Sequence, residues 1–322
     1  MKRRNAFMLG GAVTVAATIG TATSAGADPA TDSATRPTDA TAVAEQVRRI
    51  YEKHSTSAGT WESFITVIDT DGSHVTAVEQ NADTICDAAS INKVAIAMAV
   101  CDKIDRGELA LDDKVELTAD IIAAGSGFYF LQAAFGDQLT VANVITAMLL
   151  VSDNTAVRLC GLVCDGDEIN AALEAKGFTH TRVVPVDGNP KRMWLGDTTP
   201  RETHELLTRL LAGELVSAEM TRFLFGILRA GNGYHDGFRR NMSSEERSRV
   251  AVKYGADDAD RHEIGIMFNS VGAPVLVFSV FGQNADHQNN YGATHPLVRA
   301  HARMGRKMLD ATQSLGSPWS WP

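Results

Sequence analysis

The chain has 322 residues, of which 44% are hydrophobic and 21% charged, ample for a large core in at most two or three domains. Its 39 acidic residues outnumber 30 basic ones, a formal charge of −9, which excludes charge-driven binding to nucleic acid or anionic lipid. Four cysteines, Cys86, Cys101, Cys160 and Cys164, include no C-x-x-C pair, so they read as buried thiols or one bridge rather than zinc ligands, with three full pairings open.

Taken in order, the chain opens with Lys2, Arg3 and Arg4, an apolar run from Phe7 to Ile19 and then Ala25-Gly26-Ala27, the pattern of a cleaved secretory signal. Export to a periplasmic or extracellular space is expected, with residues 1–27 removed, Asp28 as the mature N-terminus and no membrane anchor left behind. The Arg3-Arg4 pair also allows the twin-arginine route. Cleavage takes three basic residues away and moves the formal charge from −9 to −12. Residues 28–38 are small and polar and read as a disordered leader.

Asp39 can cap a helix whose apolar face carries Val43, Val47, Ile50 and Tyr51. Phe64 to Ile68 and His74 to Val78 read as strands around the turn Asp71-Gly72-Ser73. A long helical region follows from Ser90 to about Leu215. Within it, Ser90 opens an apolar helix that stops near Arg106-Gly107, and Thr140 caps another, Val141 to Leu150, ending in Val151-Ser152-Asp153-Asn154. A polar triplet after so apolar a helix suggests side chains turned into a cleft. Pro185 to Pro200, rich in Pro, Gly, Asn and Asp, reads as an irregular loop. Strand signals return at Val250 to Val252, Ile264 to Phe268 and Val275 to Phe281, with a turn at Asp257 to Asp260, and a last helix runs from about His295 to Ala311.

The fold expected is therefore α/β plus all-α: an antiparallel sheet made by both chain ends, flanking helices and a large all-helical insertion. One catalytic domain is placed at 39–312, its α/β part at about 39–85 and 230–312 and its helical part at about 86–229, before a tail at 313–322. A cleft between the two parts is the natural place for a site.

Three short motifs stand in order: Ser90-Ile91-Asn92-Lys93, Ser152-Asp153-Asn154 and Lys253-Tyr254-Gly255. A serine at a helix N-terminus meets unpaired amides and the positive end of the macrodipole, which favour an alkoxide and the oxyanion of acyl transfer. A lysine one turn on, desolvated or beside a second cation, has its pKa lowered and can take the serine proton.

The set S-x-x-K, S-D-N and K-T-G is the signature of class A β-lactamases and penicillin-binding proteins, and over roughly residues 40 to 312 the chain resembles that family. The resemblance implies that Ser90 is the nucleophile and Lys93 its proton acceptor. Ser152 would pass a proton to the departing nitrogen, and Asn154 would bond the substrate's amide and steady Lys93. Asp153 would brace its turn, Lys253 would lend positive potential, Gly255 would let the strand come close, and the amides of Ser90 and Ala256 would form an oxyanion hole. Two departures stand out. Tyr254 occupies the place of a hydroxyl residue that meets the substrate carboxylate, leaving Lys253 and Arg261 to hold the anion. Between Arg182 and Pro200 there is no glutamate to activate water; counting forward puts Asp187 in its place. The function expected is a serine β-lactamase-like hydrolase acting on a small β-lactam or related amide or ester. The alternatives are an acyl-transfer protein with slow release, or a binder without turnover. No cofactor or metal is called for, and monomer is the default state.

Overall fold

The structure, a computed structural model, describes residues 39–56 and 58–316. The expected signal at 1–27, the leader at 28–38 and most of the tail lie outside the described residues. Asp39 caps helix α1 (Ala40–His54), accepting from the Thr41 amide at 3.1 Å, and strands β1 (Thr60–Ile68) and β2 (His74–Gln80) follow as a hairpin. At the other chain end, β8 (Val250–Asp257), β9 (Asp260–Phe268) and β10 (Pro274–Gln283) form an antiparallel meander, closed by helix α9 (Pro296–Thr312). The two ends share one sheet in the order β2-β1-β10-β9-β8, with Thr60 opposite Gln283 and Val67 opposite Leu276. Both faces of β9 and β10 are buried, so these strands read as nearly continuous apolar runs.

One face of the sheet packs on α1 and α9, through Val43, Val47 and Tyr51 from the first and Leu297, Met304 and Met308 from the second. The opposite face meets the body formed by the middle of the chain. After the short strand β3 (Cys86–Asp87) and a single tight turn at Ala89–Asn92, helix α2 (Lys93–Asp105) runs through that body. Every residue of α2 from Lys93 to Cys101 is buried, as a helix apolar on all sides must be, so its first turn is rigidly placed. Around it lie the hairpin β4 (Lys114–Leu117) and β5 (Asp137–Thr140), then helices α3 (Val141–Leu150), α4 (Asn154–Cys160) and α5 (Gly166–Ala175). Strands β6 (Arg182–Val186) and β7 (Asn189–Thr198) come next, then helices α6 (Pro200–Leu211), α7 (Ala218–Leu228) and the short α8 (Ser244–Ser248).

This body is mainly helical, and it also carries a two-stranded sheet and the three-stranded sheet β3-β7-β6. The second corrects the expectation of an irregular loop at 185–200. Val183, Val184 and Val186 supply strand propensity, and Asp187-Gly188 turns the chain, with Gly188 at φ +71°, so that Val186 pairs with Asn189. All four cysteines are buried, unbridged thiols.

Candidate active site

The first motif is held by its neighbours on three sides. Ala89, in the left-handed region at φ +43°, donates its amide to Asp87 Oδ1 at 2.8 Å, while the Ala88 amide reaches the Gly196 carbonyl at 2.8 Å. Ser90 is half-buried on the turn that these bonds fix, and it faces a cavity of about 750 Å³. Asn92, 1% exposed, donates its side-chain amide to the carbonyls of Arg182 at 3.1 Å, Leu195 at 2.7 Å and Asp197 at 3.1 Å. It ties the β6–β7 hairpin to the turn that carries Ser90, a role that its place inside S-x-x-K did not advertise.

Lys93 is fully buried. Its Nζ donates to the Ser152 carbonyl at 2.6 Å, to Asn154 Oδ1 at 2.7 Å and to Ser152 Oγ at 3.1 Å. Burial pulls its pKa down to about 7, against the attraction of the Asp153 carboxylate. Lys253 Nζ donates to the same Ser152 Oγ at 3.0 Å and to the Tyr254 carbonyl at 2.6 Å. Burial, and then Lys93, hold Lys253 well below the usual lysine range.

Ser152 sits at φ +56°, a left-handed conformation uncommon for serine. The turn is locked by Asp153, whose carboxylate accepts from the amides of Phe128 (2.7 Å), Tyr129 (2.8 Å) and Ala156 (3.0 Å), so that this aspartate braces. Asn154 Nδ2 reaches the Ala124 carbonyl at 2.9 Å, fixing the oxygen that Lys93 uses. The Ser152 hydroxyl has two acceptor lone pairs and one proton; when both lysines are protonated they take both lone pairs, and the O–H is left for the cavity.

Strand β8 lies at the sheet edge and closes the cavity's third side. A Cβ at Gly255 would stand 3.0 Å from the amide nitrogens of Ser90 and Ile91, so glycine lets this strand lie close against the Ser90 turn. Ala256 follows on the cavity wall. The motif residues named from sequence thus converge: Ser90, Ser152, Asn154, Lys253, Tyr254 and Ala256 all line one cavity, with Lys93 bonded behind Ser152 and Asn154.

Two others do not join them. Asp187 is exposed at the tip of the β6–β7 turn and is not part of the cavity lining, since a hairpin, rather than a loop folded inward, occupies this stretch. Arg261 is fully buried and donates to the carbonyls of Asp257, Asp258, Asp260, Gln288 and Asn290, so its guanidinium ties down the β8–β9 turn and the 288–291 segment. Sequence reasoning passed over the Tyr234, His235 and Asp236 wall. Its signal was the Gly231-Asn232-Gly233 run, a loop between α7 and α8.

A family model described as the beta-lactamase enzyme family matches residues 42–311. The chain belongs to that family. Among curated proteins, no match is found. Solved structures of similar fold include a beta-lactamase from Sphaerobacter thermophilus, 22% identical with a TM-score of 0.69, covering 84% of this chain and 98% of that one. An ancestral class A beta-lactamase is 23% identical with a TM-score of 0.65, covering 84% of this chain and 99% of the other. A mutant of PBP-A, solved as an acyl-enzyme complex with penicillin G, is 18% identical with a TM-score of 0.64, covering 85% and 97%. At these identities the likeness is one of fold, and the chemistry of this family member is read from its own residues.

Proposed function

We propose that this protein is an exported serine acyl-transfer enzyme that opens a β-lactam or related strained amide through an ester on Ser90. The observation that carries the reading is one hydroxyl, Ser152 Oγ, bonded at 3.1 and 3.0 Å by two buried lysines on the wall of the cavity that Ser90 faces. A binding pocket without turnover has no use for such a relay.

In its neutral form, the Lys93 amine has two hydrogens for its two short bonds, to the Ser152 carbonyl and Asn154 Oδ1, and one lone pair left for a hydroxyl proton. Lys93 takes the Ser90 proton as Oγ attacks the carbonyl carbon. The oxyanion forms between the Ser90 and Ala256 amides, which do not reorganise as charge develops. As the C–N bond breaks, Ser152 gives its proton to the leaving nitrogen and recovers one from the protonated Lys93, which restores the neutral amine.

Release of the ester is the weaker half of the cycle. The cavity lining contains no glutamate, and Asp187 is exposed on a turn outside it. This favours a second reading within the family, an acyl-enzyme that persists and gives up its acyl group slowly to water or to another nucleophile. A mutant of PBP-A, a protein of this fold, was solved as an acyl-enzyme complex with penicillin G.

The test is to follow the intact mass of the mature protein during incubation with penicillin G. A gain of the whole substrate mass, absent in Ser90→Ala, supports acylation, since ring opening expels nothing. Rapid return to the free mass with product accumulating identifies a hydrolase, and a lasting adduct identifies the slow-release protein. No adduct and no product at any time would remove the proposal.

A further inference from the structure

The cavity extends past the reactive groups. Along β8 three residues mark the direction: Gly255 lies against the Ser90 turn, Lys253 reaches Ser152 Oγ at 3.0 Å, and Val252 comes next on the lining. At about 3.3 Å per residue, Val252 stands about 10 Å along the strand from Gly255, on the far side of Ser152 from Ser90. Ser152 is the divide. On one side of it Asn154 bonds the 124–126 segment, through Nδ2 to the Ala124 carbonyl at 2.9 Å and through its amide to the Ser126 carbonyl at 3.1 Å. On the other, Leu150 meets the 231–233 loop, since a Cβ at Gly233 would stand 3.2 Å from Leu150 Cδ1.

Two helix ends make this second section. Ser152, at φ +56°, turns the backbone away from the line of α3, so that helix stops with Leu150 and Val151 on the cavity lining. Helix α7 stops beside it, where the amides of Ala230 and Gly233 turn back onto the carbonyls of Ile227 (3.1 Å) and Ala230 (3.0 Å). Leu150 and Ile227 are half-buried and Val151 is 36% exposed, with Leu228 and Val252 buried behind them. Arg239 borders the same space and keeps its charge, but only 1% of its surface is exposed, so the contact offered to a ligand is aliphatic.

The chemistry says what lies there. Ser152 hands its proton to the group that departs, so the departing atom sits against Ser152 and whatever it carries extends into the section beyond. Polar groups at the bond that breaks and an apolar wall past it are the division of labour of a small-molecule site.

We propose that the part of the cavity beyond Ser152 is a leaving-group subsite, which takes acyl donors whose departing side carries an aliphatic chain or ring, with Leu150, Val151 and Ile227 setting the preference. This rests on Ser90 acylation as proposed above and names its substrate class.

The experiment uses the S-methyl and S-butyl thioesters of N-phenylacetylglycine. Ser90 Oγ attacks the carbonyl, the C–S bond breaks, and the thiolate takes the Ser152 proton and leaves as the free thiol. Both compounds give the same acyl-enzyme, and their thiols are near-equal leaving groups, so a difference between them reads the departing side alone. The second-order acylation rate is measured at pH 7.5 by thiol release and quenched intact mass. Partial burial of three more methylenes should make the butyl compound about tenfold faster. Val151→Thr with Ile227→Thr should cut that ratio to about threefold or less; the ratio in the unaltered protein tests the subsite by itself if the variant does not fold. Equal rates, a slower butyl thioester or no reaction of either, in protein that penicillin G acylates, would overturn the subsite and leave the acylation reading standing. A ratio that the folded variant leaves unchanged would overturn it too. If neither the thioesters nor penicillin G form an adduct, both readings fall.

Discussion

The lowered pKa of Lys93 predicts a particular pH profile for Ser90 acylation. Only the neutral amine can accept the serine proton, and with its pKa drawn to about 7 by burial, roughly a tenth of the protein carries it at pH 6 and nine tenths at pH 8. The acylation rate constant should therefore rise about tenfold over that interval and level above it. A lysine at its ordinary 10.5 would instead keep climbing about tenfold per pH unit through pH 9. The measurement is a quenched-flow intact-mass series from pH 5 to 9, with Lys93→Met as the control, expected to lose acylation by about a hundredfold or more.

Folding gives an independent check on the same group. Its folded pKa lies below its unfolded one, so between about 7 and 10.5 the unfolded chain holds the extra proton and stability rises with pH; below about 7 both states are protonated and the unfavourable contribution is constant. Relative to Lys93→Met, the wild type should gain about 1.4 kcal/mol per pH unit from pH 7 to 9, read as urea midpoints. A rate that climbs log-linearly to pH 9, together with a stability difference that does not change with pH, would refute the neutral-lysine base.

Three further outcomes follow from the geometry. Gly255→Ala places a carbon 3.0 Å from the Ser90 and Ile91 amides, so β8 must back away from Ser90; acylation should fall about tenfold or more while the melting temperature hardly moves. Asp187→Asn should leave the lifetime of the acyl-enzyme unchanged, because this exposed turn residue does not line the cavity, and a tenfold change would return it to the mechanism. Asn92→Ala removes the donor shared by three carbonyls of the β6–β7 hairpin and should cost about 3 kcal/mol in urea unfolding; a loss under about 0.5 kcal/mol would show that the hairpin holds itself.

Much of this molecule could be read before it was seen, and the reasons are physical. The strands at 250–281 are buried on both faces and announce themselves as apolar runs, and α2 is apolar all round because it is surrounded. The reactive groups were legible because each is an unusual residue at a forced place: a serine at a helix start, a polar triplet ending an apolar helix, and a lysine and glycine on an edge strand.

What stayed hidden depends on contacts between distant parts of the chain. Composition made 185–200 look like a loop, and the valines on either side of Asp187-Gly188 were the better signal for a hairpin. Counting residues put Asp187 in the place of a base, but counting cannot tell a loop that folds inward from a hairpin that points outward. Arg261 looked free for a substrate because nothing local reveals that five carbonyls from two segments converge on it.

The way β1 is placed bears on how the protein is made. Every group assigned to the chemistry has been translated by Ala256, yet β1 sits between β2 and β10, and β8 is joined to the sheet only through β9. A nascent chain halted after the third motif would contain all the reactive parts and no catalyst. On the proposed acylation of Ser90, the site is complete only once β9 and β10, which follow the third motif in the chain, have docked against β1.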